Sequence, residues 1–242
     1  VVIDGEVQPE PVITLPVGSH GEQGMLGIVL DPNFEENHQI WISHTFPARA
    51  NDGVKVNRVV RFAEQDNIAT DIQVAFESPN NEGDGTHNLN NIVFGPDGML
   101  YVTIGDDNQS FTSQYLADPR GKIHRFIPTI ALSAPDDNPF YDGDGPNVDS
   151  IYVRGVRNSF DFVLDPFSDE VRFFATENGP DCDDEINLIL PGYNYGWSSQ
   201  YDCADPDRMR PDINTIPPML VWTETNSPTG IIVYTGDDFP EW

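Results

Sequence analysis

The sequence predicts an all-β protein, and three observations carry that prediction. The 242 residues include 20 glycines, 21 prolines and 11% aromatics, a composition of short strands joined by punctuated loops. Long stretches of 3.6-residue amphipathic periodicity are hard to find. And one design is written three times, in "GIVLDPNFEENHQIWISHTF" from Gly27, "NIVFGPDGMLYVTIGD" from Asn91 and "DFVLDPFSDEVRFFATENGP" from Asp161.

Each copy opens with a short run of β-branched or aromatic residues, turns at Asp-Pro or Gly-Pro, and continues in a second run that alternates apolar and polar. That is the signature of a β-hairpin, because proline presets the turn dihedral and aspartate bonds the turn backbone. A further strand-like segment follows each copy: "RVVRFAEQ", "GKIHRFIP" and "DEINLILPG". The shared prolines are Pro32, Pro96 and Pro166, so the unit recurs after 64 and then 70 residues. Antiparallel units at a long, nearly fixed period point to a propeller, with independent hairpins in a sandwich as the alternative. At this period 242 residues hold fewer than four whole blades, and "GIIVYTGDDFPEW" begins another hairpin and stops at its turn with Trp242. About four blades are therefore expected, in a single domain, residues 1–242, that is incomplete at its C-terminus.

Composition also narrows function. Twelve Lys and Arg against 40 Asp and Glu give a formal charge of −28, which repels nucleic-acid phosphates and anionic lipid surfaces. The same excess suits calcium sites, a salty environment or plain solubility. No run of about 20 apolar residues exists to span a membrane, and Val1-Val2-Ile3-Asp4 lacks the basic segment and apolar core of a signal peptide. The two cysteines, Cys182 and Cys203, could close a disulfide loop or remain as two buried thiols. The sequon at Asn108 stands alone and says little.

Seven segments, in order, carry a family resemblance: "GEQGMLGIVLDPNF", "HNLNNIVFGPDGMLYVTIGD", "GKIHRFI", "DNPF", "RGVRNSFDFVLDP", "ENGPDCDDEINLILPGYNYGW" and "SPTGIIVYTGDDFPEW". On these the chain resembles the glucose/sorbosone dehydrogenase family, six-bladed propellers that include soluble pyrroloquinoline quinone (PQQ)-dependent sugar dehydrogenases. The resemblance implies an oxidoreductase that uses PQQ and Ca2+ to oxidise an aldose at its anomeric carbon, passing electrons to an external acceptor. It also implies a periplasmic or extracellular location.

Residue by residue, the resemblance makes His87 the general base, a role imidazole suits near neutral pH. Arg157 and Asn158, in "GVRNSFD", would contact the quinone and the carboxylates of PQQ, where a guanidinium fork offers charge and several donors. The main-chain oxygens of Gly179 and Pro180 would bind calcium, and the acidic run after them offers Glu185 and Asp184 as further oxygen ligands. Glu22 matches a position facing the cofactor pocket, and Thr225 one that contacts PQQ.

Three departures from the family pattern weaken the enzyme reading, and the first of them motivates a second. Leu89 and Asn90 stand where a small pair commonly follows the histidine, Thr86 replaces an acidic neighbour, and Val156 replaces the histidine of Gly-His-Arg-Asn. If Leu89 fills the pocket, the chain would be a secreted, calcium-stabilised propeller that binds a protein or glycan without redox chemistry.

Overall fold

The computed structural model describes residues 1–47, 55–80, 85–205 and 215–239. A small ribbon pairs β1 (Val2–Ile3) with β2 (Glu6–Val7). Asp4 and Gly5 both take positive φ there, the backbone of the tight two-residue hairpin turn.

Three four-stranded antiparallel sheets follow, each a meander in chain order. The first holds β3 (Met25–Leu30), β4 (Gln39–Phe46), β5 (Lys55–Gln65) and β6 (Ile68–Asn80). The second holds β7 (Leu89–Phe94), β8 (Leu100–Ile104), β9 (Lys122–Phe126) and β10 (Ile151–Arg154). The third holds β11 (Phe162–Leu164), β12 (Phe173–Glu177), β13 (Asp184–Ile189) and β14 (Leu220–Trp222). The three expected hairpins and their third strands are all present. The first turn also contains one helical turn, Phe34–Asn37, that the strand pattern does not announce.

The repeated turns share a mechanism. Asp31, Asp97 and Asp165 each accept the amide two residues on, from Asn33 at 3.0 Å, Met99 at 3.2 Å and Phe167 at 2.9 Å. Each also anchors its hairpin, taking Trp41 Nε1 at 3.2 Å, Tyr101 Oη at 3.0 Å and Arg172 Nε at 2.7 Å. Local turn chemistry and hairpin packing thus agree at all three positions.

The sheets stack face to face, with β3 beside β7 and β7 beside β11. Strand alternation sends Leu100, Val102 and Ile104 of β8 toward the first sheet, where with Leu89 of β7 they meet Trp41 and Val59. From the same strand Tyr101 goes the other way, joining Phe162, Phe173 and Tyr152 against the third sheet. Each fully buried side chain of this size contributes about 1.5–3 kcal/mol, so these two seams hold the stack together.

Two expectations change here. The described residues contain three four-stranded sheets rather than about four. Between 227 and 239 no strand forms, although the Ile231 N–H donates to the Asp161 carboxylate at 2.9 Å beside β11; a strand needs a ladder partner. The turn at residues 240–242 lies outside the described residues. Leu89, second, is fully buried in the apolar seam between the first and second sheets. Val156 likewise packs in the other seam. No described helix is long and apolar enough to cross a membrane.

Candidate active site

The candidate residues meet where the second and third sheets adjoin. Leu89 pairs with Ile104 across the β7–β8 hairpin, so continuing the register outward brings His87 opposite Asp106. The two join through His87 Nδ1 and Asp106 Oδ1 at 2.6 Å, both residues being buried. His87 has φ +51°, a left-handed backbone that costs energy outside glycine. It is held there by its N–H to Glu22 Oε2 at 2.7 Å and by its carbonyl, which accepts the Asp107 amide at 3.3 Å. Gly105 lies against the same peptide; a methyl at that position would sit 2.6 Å from the His87 oxygen.

With Nδ1–H donated to the carboxylate, the imidazole lone pair is at Nε2, which has no hydrogen-bond partner among the described residues. Asp106 Oδ2 accepts Trp197 Nε1 at 2.7 Å, and the Asp106 amide donates to the Arg157 carbonyl at 2.8 Å. Neither Asp106 nor Trp197 is conspicuous in the sequence. The signal for Asp106 was the hairpin register itself, whereas Trp197 lies 91 residues away in the chain.

Arg157 and Asn158 lie in the connection from β10 to β11, and Glu177 ends β12. Glu177 accepts the amides of Arg157 at 2.9 Å and Asn158 at 2.5 Å, and the Ser159 hydroxyl at 2.7 Å. Burial nevertheless outweighs these donors and pushes its carboxyl up to about 7. The Arg157 side chain donates through Nη1 to the Asn178 carbonyl at 2.8 Å, with its guanidinium 5.4 Å over the Trp197 ring. Asn158 is fixed at both ends: its oxygen accepts Asn90 Nδ2 at 2.8 Å, and its nitrogen donates to Glu22 at 3.2 Å. Asn90, a departure from the family pattern, is thus a support for Asn158.

Behind Arg157 lies a half-open pocket of about 20 Å³, bordered by Asn178, Gly179, Pro180, Glu185, Trp197 and Tyr201. That holds one ion or one water but no ring system. Asn178 Oδ1 is buried there without a partner. Glu185 is pushed up to about 8, first by burial and then by the neighbouring carboxylates Glu177, Asp183 and Asp184. A carboxylate held in such surroundings and an unpaired amide oxygen fit a hard cation, for which oxygen is the preferred donor. Asp184 has other work: it accepts the amides of Gly179 at 2.8 Å, of Ser227 at 2.6 Å and of Asn226. No cluster of three or more His, Cys, Asp or Glu side chains suited to a metal occurs among the described residues, so main-chain oxygens would have to complete the set.

The loop is cross-linked by a Cys182–Cys203 disulfide, which settles the pairing left open by the sequence. Tyr201 Oη donates to Asp183 at 2.9 Å and its ring packs 5.0 Å from that of Trp197. Thr225 stays apart from this assembly, exposed in the loop that follows β14.

Known proteins share this fold. The profile of the family described as glucose/sorbosone dehydrogenase matches residues 1–242. The chain is similar to aldose sugar dehydrogenase YliI of Escherichia coli strain K12, with 30% identity over 93% of this chain and 62% of that protein. The crystal structure of the soluble aldose sugar dehydrogenase from Escherichia coli in its apo-form superposes with TM-score 0.80 and 28% identity, over 97% of this chain and 68% of that one. The PQQ-bound aldose sugar dehydrogenase from Streptomyces coelicolor superposes with TM-score 0.68 and 30% identity, over 86% and 56%. The chain spans a little over three fifths of the length of the first two curated relatives it matches. On the strength of a match that runs from its first residue to its last, this chain is a member of the glucose/sorbosone dehydrogenase family.

Proposed function

We propose that the protein is a PQQ- and calcium-dependent dehydrogenase that oxidises an aldose or related sugar at the anomeric carbon and passes the electrons to an external acceptor. The observation that carries this reading is the buried His87–Asp106 pair, which leaves Nε2 as a basic nitrogen beside the Arg157 segment. Nε2 would take the proton of the anomeric hydroxyl, while Asp106 steadies the imidazolium that results. Arg157 would hold an anionic oxygen of the cofactor, with Asn158 beside it to orient a second polar group. Glu22, in the turn before β3, braces His87 and Asn158, and Thr225 would reach PQQ only if its loop closes over the site. The carbonyls of Gly179 and Pro180, with Glu185, would hold the cation; Asp184, the remaining acidic candidate, would act chiefly by fastening that loop. When bound, quinone and calcium together supply a two-electron acceptor polarised by a Lewis acid.

Closure of the row of sheets into a single six-bladed domain belongs to the same proposal. It is supported by the greater length of the relatives and by apolar side chains exposed at the ends of the row, including Ile28, Leu30 and Ile232. A periplasmic or extracellular site is supported by the disulfide. The rival reading, a propeller that binds a protein or glycan, loses its motivation because Leu89 lies in the core.

Calorimetric titration of PQQ into the apo-protein, with and without calcium, tests the proposal. Calcium-dependent binding near one equivalent, followed by dye reduction with a sugar panel, is the expected result. Absence of binding under both conditions would refute it.

A further inference from the structure

Trp197 stands between the two halves of the site. Its backbone is fixed on both sides, the N–H donating to the Gly155 carbonyl at 2.9 Å and the carbonyl accepting Gln114 Nε2 at 2.7 Å. Gln114 also exchanges a pair of side-chain hydrogen bonds with Asn194, at 3.0 and 2.9 Å, and Asn194 Oδ1 in turn accepts the Gly196 amide at 3.0 Å. Gly155, at φ +79°, leaves room for this clamp; a methyl there would lie 2.0 Å from Asn194 Oδ1. The indole has little freedom as a result.

From that fixed frame the indole does two things at once. Nε1 donates to Asp106 Oδ2 at 2.7 Å, while Oδ1 of the same carboxylate holds His87 Nδ1 at 2.6 Å and the Asn108 amide at 2.9 Å. The ring face carries the Arg157 guanidinium 5.4 Å from its centroid. We infer that Trp197 is a positioning residue for the proposed reaction: its indole N–H sets the orientation and charge of Asp106, and so of His87, while its face fixes Arg157 relative to that base. This rests on the dehydrogenase reading for its catalytic meaning, but the coupling itself is a property of the cofactor-free chain.

The sign of the effect follows from the bonding. An N–H donated to a carboxylate draws off part of the charge that would otherwise favour imidazolium. Losing the donor leaves Asp106 more attractive to a proton on His87. The other charged groups around His87 are Glu22 at its amide, Asp107 at its carbonyl and Arg157 through the Asp106 amide, and none of these contacts requires the indole N–H.

The test is Trp197→Phe, which keeps a ring beneath Arg157 and removes the donor. In the cofactor-free protein, nitrogen NMR of the histidine rings should show the His87 midpoint moving upward by a few tenths of a pH unit. In unmutated protein the Trp197 indole N–H signal should titrate with the same midpoint as His87, a measurement that needs no variant to fold. Trp197→Phe in an Asp106→Asn background should move His87 no further. In the loaded enzyme the substitution should lower kcat about 10-fold with little change in sugar KM and shift the pH–rate profile. An unmoved or lowered His87 midpoint, or an indole signal indifferent to His87, overturns the inference whether or not the loaded protein oxidises sugars. Failure of the sugar panel alone overturns the dehydrogenase reading and leaves the coupling intact.

Discussion

Replacing Gly179 by alanine asks whether the acidic loop depends on close backbone approach. A methyl at that position would lie 1.9 Å from the Cys182 carbonyl oxygen and 2.7 Å from that of Asp183. Reaching ordinary contact requires a displacement of about 1.5 Å. Neither carbonyl yields easily, since Cys182 is bonded to Cys203 and the Asp183 side chain to Tyr201. The strain of overpacking costs roughly 1–3 kcal/mol. If the loop opens instead, the Gly179 N–H loses its charged acceptor Asp184, at about 1.5–3 kcal/mol. About 2 kcal/mol is expected by either route, and for a domain of this size that lowers Tm by roughly 4–8 °C. The assay is thermal unfolding followed by circular dichroism, with Gly230→Ala as control. A methyl at Gly230 meets nothing nearer than Asp161 Oδ2 at 4.0 Å, so its effect should stay within about 0.5 kcal/mol. A Gly179→Ala protein that melts with the control would refute the account of the loop, and with it the argument that the loop presents preset carbonyls to a cation.

Two further outcomes follow from groups outside the reaction. Lys122 is fully buried in β9, donating to the carbonyls of Thr112 at 2.7 Å and Arg120 at 2.8 Å, and burial lowers its ammonium to about 7. A lysine depressed on folding adds stability above its unfolded value of 10.5 that is lost as pH falls toward about 7. Glu177 and Glu185 act in the opposite sense, losing stability as pH rises through about 7 and about 8. The difference between the native chain and Lys122→Met isolates the lysine: in urea unfolding the variant should gain relative stability on going from pH 9 to pH 7, by at most about 1.4 kcal/mol per unit. An unchanging difference would mean the ammonium stays charged throughout. Opening the Cys182–Cys203 bridge, which spans 21 residues, should cost about 3 kcal/mol. A paired serine variant compared by denaturant titration measures it, and no loss would mean that the link restricts the unfolded chain less than the loop-closure account requires.

Much of the fold could be read from the chain because strand, turn and repeat signals agree locally. Asp31, Asp97 and Asp165 mark the same turn three times, and each turn bonds within its own hairpin. His87, Arg157 and Asn158 lie at one seam, joined through Asp106 and Glu22. The partners that give them geometry were less visible. Asp106 emerges only when the β7–β8 register is extended, and Trp197 meets it across two sheets. The acidic run shows why composition misleads: a carboxylate that gathers three amides, as Asp184 does, and one left to face a cavity, as Glu185 is, look alike in sequence. The disulfide was undecidable for a similar reason, since only placement brings Cys182 to Cys203.

The seam between the second and third sheets carries both an apolar cluster and the reactive side chains. His87 and Asp106 belong to one wall, Arg157 and Trp197 to the other, and Tyr101, Phe162 and Phe173 fill the space beneath. A ligand gripping both walls is therefore also a fastener between sheets. At a hundredfold excess over its Kd it would add about 2.7 kcal/mol against any opening that separates them. Cohesion of the stack and occupancy of the site rise and fall together, so a chain that loses its ligand also loosens along the line where its chemistry is assembled.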